Sequence, residues 1–519
     1  MKRLVVGNKV LINSLVILIF TLPASIPLLH RGFFLSDDGE WMLIRLTAFF
    51  EALRHGQIPV RFLMRLNNDF GYPLSDFAYP AFLYTGSLIH LLRFNFLDSF
   101  KIMLFLSLFL SSIFTFFFLR KKFDNLPSLI GSFVYLYTPY HLFDLYKRGS
   151  IGELFAICSI PFIFWQLERR SFFFTALGVF ILILAHNSIA LICLPFIFLY
   201  AILIYKDNLK RNIFNLLGPF VLGVLMSSFF AIPSVYDLRY IVFSGLKIAD
   251  WHLFFADLGI FGISTIVILT LGIFVVAMKR QRTKINYLFV VIVLFSTLLG
   301  TNPGTFIWNI FPSSFIIFPF RFLSILPIGL AFLSALIVSN FKGNLKIVLI
   351  ILIVGISFYS SRPYLSPAKY LDRYDDFYLN NFATTTANDE YMPKWVREKP
   401  LVVTSKKVEV LSGEASVSGL IFNSKKISFT AKADKGSKLL INAIYFPGWN
   451  AYVDGVKTNI SYQNKNGVME IDVVSGQHLV MFKFGETGVR LFSDVLSLIG
   501  FGLAIGLLAI KKLNVAKFS

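Results

Sequence analysis

Two adjacent carboxylates, Asp37 and Asp38, stand where an apolar run ends, and Arg45, Arg54, Arg61 and Arg65 follow them. A carboxylate held against an apolar surface at a membrane edge is suited to take a proton from a hydroxyl. Arginines beside it would hold an anion through their planar forks. Together these residue types fit chemistry on a lipid-borne phosphate. A plainer reading stands next to that one. The aspartates would cap the helix that starts near Glu40, and each arginine would snorkel or pair with lipid headgroups.

Other polar residues break apolar surroundings in the same way. Arg321, in Phe318-Pro319-Phe320-Arg321-Phe322, begins an apolar span and must find an anion. Arg148 and Glu153 bracket Gly149 and Gly152, either as an ion pair that closes a loop or as members of a site. His186, beside Asn187, separates two apolar stretches; it is either satisfied locally or functional at membrane depth. The catalytic candidates are therefore Asp37 and Asp38. Asp37 is the expected base because it comes first after the span, with Asp38 orienting it or binding a metal. Arg321, Arg148 and Arg61 are the candidates for a donor phosphate, and Glu153, His186, Asp69, Tyr72 and Glu390 complete the set. Asp37, Asp38, Asp69 and Glu153 would supply oxygen ligands to a divalent metal, although no spacing requires one.

The elements that must position these residues follow from composition. The chain is 56% hydrophobic and 15% charged, with a mean hydropathy of +0.69, and apolar runs long enough to span a bilayer recur along it. This composition excludes a single soluble domain. The net charge of +20 falls mostly in short loops, so it reads as positive-inside bias and not as nucleic-acid binding. Cys158 and Cys193 both lie in apolar runs and read as core residues.

Placing 77–92 at the outer surface puts the basic clusters at 120–122, 169–170, 206–211, 279–284, 342–346 and 511–517 on one side. About twelve spans result, with both termini cytoplasmic. They are expected at 10–29, 97–119, 127–142, 150–166, 171–185, 188–205, 213–232, 257–278, 285–300, 316–338, 344–360 and 489–510. Everything unusual then collects on the outer face of the cell membrane. Residues 1–360 form the membrane domain, with 33–92 as its outer loop, where an amphipathic helix from Glu40 should lie in the interface. An irregular outer linker, 361–400, leads to an extracytoplasmic domain, 401–488, and 489–519 return as a last span with a basic tail. Residues 401–485 switch to period-2 alternation with Asp454-Gly455 and Asn466-Gly467 as hairpin signals. They predict a small, self-contained β-sandwich with Phe446 and Trp449 in its core or on its membrane-facing side.

The layout resembles the GT-C superfamily of integral-membrane glycosyltransferases. Asp37-Asp38 matches their loop acid, and Gly71-Tyr72-Pro73 through Tyr79-Pro80 is similar to the Pro-rich approach to their second interfacial helix. More narrowly the chain resembles bacterial and archaeal "6-pyruvoyl-tetrahydropterin synthase-related" membrane proteins. Arg148-Gly149 with Glu153, His186-Asn187, Pro319-Phe320-Arg321-Phe322 and Glu390-Tyr391-Met392-Pro393-Lys394-Trp395 carry that likeness. Tyr445-Phe446-Pro447-Gly448-Trp449 with Val453-Asp454-Gly455 resembles the outer β-domain of YfhO-type proteins. The resemblance implies an inverting hexosyltransferase that moves sugar from a polyprenyl-phosphate donor to an envelope glycan, lipid or protein acceptor. It implies no pterin chemistry. A transporter or flippase, and a non-catalytic scaffold that binds envelope glycans, are the competing classes.

Overall fold

The computed structural model describes residues 2–207, 209–245, 251–310, 316 and 318–516. Parts of the expected outer loops at 236–252 and 301–321, and the end of the basic tail, therefore lie outside the described residues. Among the described residues, seven helices are long and apolar enough to cross a membrane, or up to ten if each of three bent pairs counts as one span. The chain is a multi-pass membrane protein. The expected spans at 127–142 and 171–185 are filled by shorter helices, Asn125–Leu136 and Phe172–Ala185, of 12 and 14 residues. The bent pairs turn by 67°, 73° and 83°, at breaks after Met226, Phe261 and Gly300.

The helix Ala81–Leu91 has only 11 residues, too few to cross about 30 Å of hydrocarbon at 1.5 Å per residue. Helix Gly39–Arg54 was expected to lie in the interface, but Met42 to Phe49 are buried. Its apolar side chains share one core with the helix Phe96–Leu119 and with Tyr378 and Met392 of the linker. The linker is correspondingly less irregular than expected. Its strand β2 (Tyr370–Leu371) pairs antiparallel with β1 (Phe33–Phe34), and a short helix, Asp375–Leu379, follows.

Residues 408–484 form two antiparallel sheets. One orders its strands β4 (Ala415–Phe422), β5 (Lys426–Ala433), β10 (Gly476–Phe484), β7 (Trp449–Val453) and β8 (Val456–Thr458). The other orders β3 (Val408–Ser412), β6 (Ser437–Ile444) and β9 (Val468–Val473). Alternate residues point inward, such as Ile427, Phe429 and Ala431 on β5, as period-2 geometry requires. Asp454 and Gly455 make the β7–β8 turn, both at positive φ, as an Asp-Gly hairpin demands. Asn466-Gly467 does not make a two-residue turn. The ladder there closes earlier, at Ser461 and Glu470, and Gly467 instead lets the linker's Trp395 and Val396 pack against the backbone.

Phe446 and Trp449 are buried as expected, but the sandwich is not self-contained. Phe62, Met64 and Phe77 of the 33–92 loop belong to its core. The Phe62 ring centroid lies 5.8 Å from that of Trp449 and 5.4 Å from that of Phe484.

Candidate active site

Two loops zip together at the start of helix Gly39–Arg54. The Asp37 amide donates to Lys147 O (2.9 Å) and the Asp38 amide to Arg148 O (2.7 Å). Gly149 makes this approach possible. It sits at φ +67°, and a Cβ there would collide with Ser36 Oγ and lie 2.8 Å from Gly39 N, so only glycine fits without strain. Gly152 permits a second close approach, where the Tyr79 ring and Ala185 O leave no room for a side chain.

The capping role expected of the aspartates falls to a neighbour. Ser36 Oγ accepts from the Gly39 amide at 3.2 Å, while neither aspartate side chain caps the helix. The two carboxylates diverge. Asp37 is 53% exposed and meets Lys147 Nζ at 3.4 Å; Asp38 is 28% exposed, with Oδ2 3.5 Å from Arg148 Nη2. Asp38 faces a cavity of about 670 Å³ that Asp37 does not line. Trp41, Met42 and Arg45 face the same cavity, because residues three, four and seven positions after Asp38 share its helical face.

Behind the cavity wall lies a buried charge cluster. A π-helical turn, Asp144–Arg148, aligns Asp144 with Arg148 at 3.0 Å, an irregularity common at functional sites. The Glu153 carboxylate accepts from Arg148 Nη1, from Arg321 Nε (3.0 Å) and from the Tyr140 hydroxyl (3.0 Å). Arg148 also stacks over the Phe320 ring, 4.8 Å from its centroid. With Asp38, Asp144 and Glu153 around it, Arg148 is committed to the protein and does not line the cavity. Arg321 does line it. Its Nε is held by Glu153 and its guanidinium lies over the Phe318 ring, 4.8 Å from the centroid, while its two terminal nitrogens have no hydrogen-bond partner among the described residues. His186 lies on the cavity wall, its ring stacked on Tyr79 at 4.5 Å. Its Nδ1 caps the next helix by accepting from the Ile189 amide at 3.4 Å, and its Nε2 is 3.8 Å from Glu153 Oε1.

Asp38, Arg321, His186 and Glu390 thus meet at one cavity, and Arg148 and Glu153 stand directly behind it. The other candidates go elsewhere. Tyr72 is one layer back, its hydroxyl accepting from the Tyr391 amide (3.0 Å) and bonded to Thr386 Oγ1 (3.1 Å). Asp69 pairs with Lys407 at the sandwich edge. Arg61 is enclosed by Asp76 (3.4 Å), Glu486 (3.4 Å) and Asp494 (3.0 Å) and donates to Phe229 O (2.7 Å). Of the remaining loop arginines, Arg45 binds Thr385 (Nε to Oγ1, 3.0 Å) and Arg65 donates to Leu379 O (2.8 Å). Asp144 and Tyr140 were missed by sequence reasoning. The first stands four residues before Arg148, a spacing that predicts a helical ion pair. Among the described residues no three His, Cys, Asp or Glu side chains converge where they could hold a metal ion.

No protein-family model matches the chain, and no curated protein matches it. Among solved structures it is similar to the arabinofuranosyltransferase AftD from mycobacteria, with a TM-score of 0.48 and 14% identity, over 70% of this chain and 27% of that one. A mutant of the same enzyme gives a TM-score of 0.49 and 13% identity, over 70% and 29%. The chain therefore spans less than a third of the length of these solved proteins, and at such scores the likeness carries no conclusion about fold or activity.

Proposed function

We propose that the protein is a membrane glycosyltransferase of the GT-C type that moves a hexosyl group from a polyprenyl-phosphate donor to an envelope acceptor at the outer face. The observation that carries this reading is that one carboxylate, Asp38, and one arginine with free terminal nitrogens, Arg321, line the same cavity. Leu253, Phe254 and Phe318 supply an apolar side to it, suited to the first isoprene units of a lipid donor.

In the reaction so read, the acceptor hydroxyl gives its proton to the Asp38 carboxylate. Its oxygen bonds to the anomeric carbon as the carbon–oxygen bond to phosphate breaks, and the electron pair leaves on the phosphate. Arg321 neutralises that charge as it develops. A single displacement inverts the anomeric configuration. Glu153 and Arg148 hold the Arg321 fork in place and touch no substrate.

The test is sugar transfer by the purified protein in liposomes from a polyprenyl-phosphate hexose. Full transfer by Asp38→Asn would remove the mechanism. Sidedness has its own test: an impermeant reagent should not label a cysteine placed at Gln281 in intact cells.

The three bent helix pairs favour a second reading, a lipid transporter built on broken helices. Translocation of the donor without any transfer is what that reading predicts.

A further inference from the structure

The wall opposite Arg321 comes from the linker, not from the membrane domain. Residues 384–391 contribute Asn388, Glu390 and the Tyr391 ring to the cavity. Two non-glycine residues in this segment, Thr385 at φ +60° and Asp389 at φ +49°, adopt the left-handed conformation. For a β-branched threonine this is an unfavourable geometry that persists only where the surroundings impose it. Here they do. Arg45 grips Thr385, and Lys399 Nζ clamps Asp389 at 2.7 Å. Tyr72 ties Thr386 to the Tyr391 amide, and Glu390 O accepts from the Phe243 amide at 2.8 Å.

The strained backbone presents a particular surface. Tyr391 is the middle ring of three, 5.5 Å from Phe77 at 5° and 6.0 Å from Phe243 at 8°. All three rings line the cavity, and because Phe77 and Phe243 stack on Tyr391 the set gives the cavity a rigid apolar border of low conformational cost. Beside it the Glu390 carboxylate accepts from the Asn388 amide at 3.2 Å through Oε2, while no described residue donates to Oε1. An aromatic border beside a carboxylate and a carboxamide matches a sugar ring, whose C–H groups pack on the aromatic carbons while its hydroxyls donate to the oxygens. An anionic group would meet repulsion from Glu390.

We infer that the 384–391 segment is the acceptor subsite and that the acceptor is a neutral carbohydrate, with Tyr391 as its platform and Glu390 as its hydroxyl acceptor. The word acceptor rests on the glycosyltransferase reading; carbohydrate binding does not.

The experiment uses the full chain in nanodiscs and a set of neutral hexose and pentose trisaccharides, with binding read by saturation-transfer NMR. Donor hydrolysis to free sugar is followed in parallel. At least one trisaccharide should bind, and Glu390→Gln and Tyr391→Ala should each weaken it about tenfold, on the scale of one lost hydrogen bond or ring contact. Tyr391→Phe, which keeps the ring, should restore binding to within about twofold. Hydrolysis or transfer without carbohydrate binding, or binding indifferent to both variants, overturns the inference while the glycosyltransferase reading stands. So does transfer to a lipid or protein acceptor that Glu390→Gln leaves unchanged. No donor turnover at all by the wild type removes the glycosyltransferase reading first, and the acceptor assignment with it.

Discussion

Two buried arginine–carboxylate clusters sit in this protein, and they differ in how completely the arginines are used. In one, Arg490 at the start of the last span donates to Asp237 (2.8 Å), Asp76 (3.0 Å) and Pro447 O (2.7 Å), so Nε and both terminal nitrogens are engaged. Arg61 beside it is equally saturated. In the other cluster Arg148 gives Nη1 to Asp144 and Glu153 and Nη2 to Asp38, while Arg321, which lines the cavity, gives only Nε to a protein oxygen. Burial does not separate the two clusters. The tally of engaged donors does: a full fork holds the fold together, and a half-used fork waits for a ligand.

The largest effect should come from breaking the saturated cluster. Arg490→Met leaves Asp237 buried without its cation and Asp76 with Arg61 alone, 3.4 Å away, which costs about 3–5 kcal/mol. Thermal unfolding of the purified protein should show that loss. Unchanged melting would erase the distinction between the two clusters. Next, Asp38→Asn should lower transfer about a hundredfold or more by removing the basic oxygen, with melting unaltered. Asp37→Asn should keep transfer within about twofold, because its carboxylate faces solvent; the reverse order would restore Asp37 as the base. Arg321→Lys should retain the pairing with Glu153 but lose the fork, lowering transfer about tenfold, on the scale of one charge-assisted hydrogen bond. A matching fall in melting temperature would make Arg321 structural, like Arg490.

The smallest effect belongs to an exposed pair that serves as a baseline. His478 Nδ1 lies 2.6 Å from Asp454 Oδ2. The hydrogen bond to Asp454 raises the His478 pKa, and the bonds from His478 and from the Leu479 amide lower that of Asp454. The histidine's contribution to stability is present below its unfolded value of about 6.5 and is lost as pH rises through the raised folded value. The aspartate's contribution is present above its unfolded value of about 3.9 and is lost as pH falls through the lowered folded value. Melting should therefore be slightly higher near pH 5 than near pH 8 for this pair, and His478→Gln should flatten that slope. A flat slope in the wild type would show the pair contributes nothing measurable.

Sequence reasoning reached what depends on local pattern. The Asp-Gly turn, the alternation of β5 and β9 and the break at His186 all follow from a few neighbouring residues. The same Asn-Gly logic failed at 466–467, where a linker packed on Gly467 outranks local turn chemistry. The surroundings of the candidate residues were not legible wherever partners are distant in the chain. Arg61 and Arg321 look alike as isolated outer arginines; Glu486, just before the last span, and Asp494 within it join Asp76 and Phe229 O in consuming the first. Proximity to the preceding span favoured Asp37, but the pairing of the 37–38 backbone with 147–148 turns Asp38 inward. The strained 384–391 loop carried no sequence signal, since its positive φ at Thr385 is imposed by Arg45, 340 positions away, and not by any neighbouring residue.

The insertion of Phe62, Met64 and Phe77 into the sandwich core sets an order of maturation. These side chains emerge early in synthesis, yet Trp449 and Phe484, against which Phe62 packs, emerge near the end. Contacts so far apart in the chain close late and at high entropic cost. Until the last strand appears, Phe62, Met64 and Phe77 lack the core they pack into, whereas Asp38 is already held by the 147–148 backbone. The outer half of the 33–92 loop is thus completed only by the last strands of the chain.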